Sequence, residues 1–251
     1  MFSVLNISAG YGKKVVVKSV SFTIEAGEFA VLLGLNGSGK TTLLKAICGL
    51  LKPKAGKITA KGTDITLANE RTRAHFISYI PQRHSRLKSM SVMDVVLMGL
   101  NPKLGIFAHS SAAHKKIARE ILQKMGLADY YDSDFQALSE GQKQLVILSR
   151  TLLQDAPILL MDEPDSSLDF LNRHKMLKDV RALIKAEGKA GLMTMHDPNL
   201  ALTYADKLIL IKDGEIIGDY PVDSKDVDHG LSSVYDGAKI IEYENMKILK
   251  F

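Results

Sequence analysis

The sequence predicts an α/β fold, and three observations carry that expectation. An apolar run of strand length, Phe29-Ala30-Val31-Leu32-Leu33, meets a glycine-rich loop and then a helix-like run from Thr42 to Cys48. Strand and helix patterns alternate again late in the chain: Ile158-Leu159-Leu160-Met161, a helix around 170–187, then Gly191-Leu192-Met193-Thr194-Met195. Between these stretches, residues 90–154 carry long helical patterns with little strand signal, so the α/β core is expected to hold an inserted helical subdomain at about 86–154.

The elements follow in order. Val4–Ser8, Val15–Val17 and Val20–Ile24 are β-rich and punctuated by glycines at 10, 12 and 27, which points to an N-terminal antiparallel β subdomain. Gly56–Ala60 and Ile77–Ile80 read as further strands. Helices are expected at about 91–100, 112–126 and 140–154; in the second, Ile117, Ile121, Leu122 and Met125 keep helical spacing. After the strand at 191–195 comes another helix, then a hairpin of Leu208–Lys212 and Glu215–Tyr220 turning at Asp213-Gly214. The main domain is expected over 1–224. Residues 225–251 form a tail without independent standing: a short helix and two β-like runs at 239–243 and 246–251.

Composition sets limits. The chain has 251 residues, enough for one large domain with a substantial core. Hydrophobic residues make up 46% and charged residues 24%, the balance of an ordinary globular protein. The single cysteine, Cys48, excludes a disulfide within the chain and reads as a small core residue. The net charge of +5 is scattered, with small clusters at Lys13-Lys14 and Lys115-Lys116, and reads as solvated surface. Met1-Phe2-Ser3 leads straight into a strand pattern, so no signal peptide is expected. No apolar run approaches the length that spans a bilayer.

The loop Gly34-Leu35-Asn36-Gly37-Ser38-Gly39-Lys40-Thr41 fits G-x-x-x-x-G-K-[ST], the phosphate-binding loop of nucleotide triphosphatases. Glycines let successive N–H groups point into one concavity, and the following helix presents its positive end there. Lys40 reaches the outer phosphates, the Thr41 hydroxyl suits Mg²⁺, and Thr42 continues the helix start. A second apolar strand ends in Asp162 and Glu163. Asp162 is placed to face the metal beside Thr41, and Glu163 to polarise a water against the terminal phosphate, because water alone is far too weak an acid at pH 7. Ser139-Glu140-Gly141-Gln142 opens an apolar helix; by itself it is an ordinary capping box, with Ser139 as N-cap and Gln142 at the third helical position.

Taken together, Leu138–Gln142, the phosphate loop and Asp162-Glu163 resemble the ATP-binding cassette (ABC) ATPases, over about residues 3–222. The family's pentapeptide has Gly where this chain has Glu140. The resemblance implies further roles. Gln82, after Ile77–Pro81, matches the glutamine loop that touches metal or attacking water. His196, the only one of seven histidines that ends a predicted core strand, matches the switch histidine at the γ-phosphate; His109 and His114 have no partner spacing of a metal site. Tyr11 resembles the aromatic that stacks on adenine, and Ser166-Ser167-Leu168-Asp169 the loop between subunits.

The resemblance also implies cofactors and partners: ATP with Mg²⁺, and a second copy of the chain whose Ser139 and Gly141 close on the nucleotide. Met90–Pro102 and Leu231–Tyr235 resemble the ATPases of metal-chelate importers, for iron–siderophore, haem or cobalamin. That implies integral-membrane permease subunits, a substrate-binding protein, and a peripheral place on the cytoplasmic face of the cell or inner membrane. A non-transport relative, such as the ATPase of iron–sulfur cluster assembly, is the alternative. No nucleic acid partner is expected, because residues 41–137 hold no sustained heptads between loop and pentapeptide.

Overall fold

The computed structural model describes residues 1–82, 90–104, 110–166, 168–243 and 246–250. The chain opens with strands β1 (Phe2–Ala9), β2 (Val17–Ile24) and β3 (Phe29–Leu33), followed by helix α1 (Lys40–Cys48). Then come β4 (Ala55–Ala60), β5 (Thr63–Asp64), α2 (Glu70–Ala74) and β6 (Ile77–Ile80). Three helices follow: α3 (Val92–Leu97), α4 (Ala112–Lys124) and α5 (Glu140–Gln154). Alternation resumes with β7 (Ile158–Asp162), α6 (Phe170–Glu187), β8 (Ala190–Thr194) and α7 (Pro198–Tyr204). The chain finishes with β9 (Lys207–Lys212), β10 (Glu215–Pro221), α8 (Val227–Val234), β11 (Lys239–Tyr243) and β12 (Met246–Lys250).

Six strands form one sheet in the order β10-β9-β3-β8-β7-β6, parallel except for the β9–β10 hairpin. The order β2-β1-β4-β5 makes a second, antiparallel sheet, as the N-terminal pattern predicts. Side chains alternate faces along a strand, and the core records it. Ala30, Leu32, Leu160, Leu192 and Ile209 join the layer that includes Leu43, Leu44 and Ile47 of α1 and the antiparallel sheet. Phe29, Val31, Leu33, Met161 and Met193 join the layer of α3–α7 on the other face. Because β3, β7 and β8 are buried on both faces, they read as continuous apolar runs.

Several details differ from expectation. The helix at 91–100 is shorter: α3 gives way to a 3₁₀ turn at Met98–Leu100. The strand expected at Val15–Val17 contributes only Val17, and Val16, just ahead of it, lines a cleft described below. Strand β5 and helix α2 are too short for periodicity to reveal. The predicted hairpin turn is present, with φ of 52° at Asp213 and 84° at Gly214, the primed turn that suits a strand pair. The expected subdomain start near residue 86, His109, Ser167 and Phe251 lie outside the described residues.

The tail packs through Val227, Leu231, Val234 and Leu249 into the helical-face layer. Asn199 in the first turn of α7 grips β12: its Oδ1 accepts from Leu249 N at 2.6 Å and its Nδ2 donates to Leu249 O at 3.4 Å. Cys48 ends α1, and burial pushes its thiol up to about 11. Two units above an ordinary thiol means roughly a hundredfold less thiolate at pH 8. Maleimide is therefore expected to label the native protein far more slowly than the urea-unfolded chain at that pH; equal rates would place the thiol in the open.

Candidate functional site

The glycine-rich loop, Gln82, Asp162 with Glu163, and His196 lie at or just after the carboxyl ends of β3, β6, β7 and β8, neighbouring strands of the parallel sheet. The loop 34–39 leaves β3 and enters α1. Its tight path needs glycine at Gly34: a Cβ there would lie 2.3 Å from the carbonyl oxygen of Ile211 on β9. Gly37 and Gly39 take φ of 82° and 108°, and Gly39 is the N-cap of α1, with no side chain to occupy the free amides. The Ser38 hydroxyl is buried and, among the described residues, has no hydrogen-bond partner. Helix amides left open by a glycine N-cap offer donors to an anion.

Lys40 is 5% exposed and folds back over the loop, donating from Nζ to Gly34 O at 2.7 Å and Leu35 O at 3.3 Å. Burial holds its ammonium below the usual range, while the carboxylates of Glu163 and Asp162 pull it back up. Thr41 Oγ1 donates to Asp162 Oδ1 at 3.2 Å. Even positions of β7 face α1, and Asp162 continues the Ile158–Leu160 series toward that helix. Its second oxygen accepts from Tyr79 OH at 3.4 Å, a long bond from β6. These oxygens fit Mg²⁺, a hard cation that prefers carboxylate and hydroxyl ligands completed by phosphate. Among the described residues no cluster of three His, Cys, Asp or Glu forms a closed metal cage.

Glu163 adopts φ of 48°, a left-handed conformation unusual for a residue with a side chain. It lies immediately after β7 and brings its carboxylate into the cleft, 6% exposed. His196 Nε2 lies 2.7 Å from its Oε2, and Gln82 Nε2 donates to the same oxygen. Three sequence-predicted residues from three loops thus meet at one atom. Asn36, Gly37, Gly39, Lys40, Thr41 and Thr42 line the same cleft, of ≈ 480 Å³, with Val16 on its rim. A loop suited to phosphate, a carboxylate able to accept a water proton and a half-exposed imidazole able to contact an oxyanion are therefore side by side.

Four predicted residues lie elsewhere. Tyr11 sits half-exposed on a turn closed by Lys14 N donating to Tyr11 O at 3.0 Å, outside the lining of the cleft. Ser139 and Gln142 form the capping box of α5: Ser139 Oγ accepts from Gln142 N at 3.2 Å, and Gln142 Oε1 from Ser139 N at 3.0 Å. Gly141 packs beside Leu168. None of the three lines the cleft. Glu140 Oε1 instead pairs with Lys143 at 2.8 Å.

Sequence reasoning missed Val16, Tyr79 and Thr194. Thr194 Oγ1 donates to Asp162 Oδ1 at 2.9 Å and accepts from Glu163 N at 2.9 Å. The available signal was a lone hydroxyl in the otherwise apolar strand before His196.

This fold and this cleft define a phosphate-loop nucleotide triphosphatase. The model of the ABC transporter family matches residues 17–166, and the chain belongs to that family. It is 36% identical over 237 residues to the "Probable iron chelatin transport ATP-binding protein" of Helicobacter pylori, covering 94% of this chain and 93% of that one. It is 34% identical over 222 residues to the hemin import ATP-binding protein HmuV of Shewanella denitrificans, covering 86% of each. Its fold superposes, with a TM-score of 0.79 and 26% identity, on the ATP-binding cassette MJ0796 in a dimeric post-hydrolysis state with ADP and Pi; 89% of this chain and all of that one are covered. The chain is an ABC ATPase, and ATP is its nucleotide.

Proposed function

We propose that two copies of this chain bind two Mg-ATP at their shared seam and that hydrolysis drives import of a metal chelate through membrane permease subunits. The observation that carries the dimer is the division of the site. Residues of the loop and helix start, Gln82, Glu163 and His196 bring one cleft together, with Asp162 bonded to Thr41 of its lining, whereas Ser139, Gly141 and Gln142 stand outside it with α5's amino end. A second copy related by a two-fold axis supplies that end to the first copy's triphosphate, and receives the same in return. The dimeric MJ0796 cassette supports this reading.

In this reading Lys40 and the loop amides hold the phosphates, and Thr41, Asp162 and Gln82 hold Mg²⁺. The cation, when bound, neutralises charge on the phosphates. Glu163 takes the proton of the attacking water. His196 donates to the γ-phosphate, and Tyr11 stacks on adenine once nucleotide draws its turn inward. The main domain runs over 1–224 with the helical insert at about 86–154, and 225–251 is a dependent tail.

Metal-chelate cargo is supported by the named activity of the relatives, iron chelatin transport in one and hemin import in the other. No helix among the described residues is long and apolar enough to cross a membrane, so the permease, with a substrate-binding protein outside, supplies the path. The chain then works on the cytoplasmic face of the membrane. Affinity capture of the tagged chain from detergent-solubilised membranes is expected to retain a multi-span membrane protein, and a strain lacking the chain to lose uptake of iron chelate or haem. Capture of soluble partners alone, with uptake intact, would favour the iron–sulfur assembly alternative.

A further inference from the structure

We propose that Thr194 is a positioning residue whose single hydroxyl aligns two consecutive carboxylates, Asp162 and Glu163. The proposal rests on the roles given above to those carboxylates.

The argument begins with burial. Thr194 is 0% exposed, at the end of a strand whose other residues are apolar and buried. A hydroxyl in such a place is costly unless its hydrogen bonds are made. It makes two, and their directions are determined. The Glu163 backbone N–H can only donate, so Thr194 Oγ1 accepts there at 2.9 Å. With that amide already donating to it, the hydroxyl gives its one proton to Asp162 Oδ1 at 2.9 Å. The hydroxyl thereby bridges the backbone of one residue and the side chain of the one before it.

Both bonds bear on orientation. Asp162 and Thr194 are register partners on the adjacent parallel strands β7 and β8, so the bridge spans a fixed distance. The Asp162 bond sets the rotation of the carboxylate that faces Thr41. The Glu163 bond satisfies the amide of a residue with φ of 48°, where the chain turns sharply and the strand ladder ends. That turn is what brings the Glu163 side chain to Gln82 and His196. Thr194 also precedes His196 by two residues, so one strand end carries both the residue that aims the carboxylates and the residue that meets Glu163. Thr41 donates to the same Asp162 oxygen. If Thr41 turns to a cation, Thr194 remains as the donor that keeps Asp162 in place.

The test uses the full-length protein. Thr194→Val keeps shape and loses both bonds; Thr194→Ser keeps the hydroxyl. Removing a residue that orients a metal ligand typically costs 10–100-fold in metal affinity or activity. Thr194→Val is expected to lower kcat for ATP about tenfold with KM changed less than about threefold. In calorimetric titrations it should need about tenfold more Mg²⁺ for ATP to bind as in wild type, while metal-free ATP binding stays unchanged. Thr194→Ser is expected to restore both within about threefold. If Thr194→Val melts too low to assay, Thr194→Cys, with only a weak donor, takes its place. A wild-type kcat and Mg²⁺ requirement in the hydroxyl-free variant would overturn the proposal, as would a Thr194→Ser variant as impaired as Thr194→Val. Failure of the underlying reading looks different: the wild type itself would not split Mg-ATP, and the proposal would fall with it.

Discussion

Glu163→Gln is expected to bind ATP and hold it unsplit, with turnover reduced by about 10²–10⁴, the usual contribution of a positioned general base. The substitution changes charge and basicity with almost no change of shape. Glu163 is nearly buried and receives donors from both Gln82 and His196 on one oxygen. A carboxamide still offers one oxygen to such donors, so the loop geometry is retained and the melting temperature should move little. What is lost is the group able to take a proton from water. What is also lost is a negative charge beside the triphosphate, so ATP should bind more tightly than in wild type. If two copies close on the nucleotide, the unsplit ATP holds them closed. Sedimentation velocity should then show a dimer for Glu163→Gln with Mg-ATP and a shift toward monomer with ADP. Hydrolysis within about threefold of wild type would remove Glu163 from its proposed role.

The parts of this molecule that could be read in sequence are those whose physics is local. The loop at 34–41 is legible because strand, glycines, lysine and helix are contiguous. Asp162 and Glu163 are legible because a buried strand ends in two acids in a chain with such a loop, and the structure sets Asp162 against Thr41 and Glu163 in the cleft. Gln82 came only through family resemblance, since an isolated loop Gln carries no spacing signal, and His196 through that resemblance together with its place at the end of a predicted core strand; in the structure both reach one oxygen of Glu163. Thr194 and Tyr79 act across strands, and the order β6-β7-β8-β3 that places them against Asp162 is written nowhere in the local pattern. Val16 was misread because its β-rich neighbours carry strand periodicity, while in the structure it lies just ahead of β2 and lines the cleft. Ser139 and Gly141 are a different case. Within one chain they form only a capped helix end, and any further task requires a surface that a single copy does not contain.

Lys40→Ala is expected to weaken ATP binding by about tenfold to a hundredfold, from the roughly 1.5–3 kcal/mol of a hydrogen bond to a charged group at about 1.4 kcal/mol per factor of ten. Its ammonium rests on Gly34 O and Leu35 O, carbonyls of the very loop proposed to receive the phosphates. Burial already costs that ammonium part of its charge preference, so an anion within reach gains a partner that is poorly solvated and held in position. Exchange of loop carbonyls for phosphate oxygens should therefore be favourable for a triphosphate or diphosphate and irrelevant to a nucleotide too short to reach it. Calorimetry with ATP, ADP and AMP separates the possibilities. Loss for ATP and ADP with AMP unaffected is the expected pattern. An equal loss for all three would mean that the loop collapses once Gly34 O loses its donor, and unchanged ATP affinity would mean that the phosphates lie elsewhere. A lysine that contributes through charge and reach should also resist replacement by arginine, whose planar fork cannot fold onto two loop carbonyls as the ammonium does.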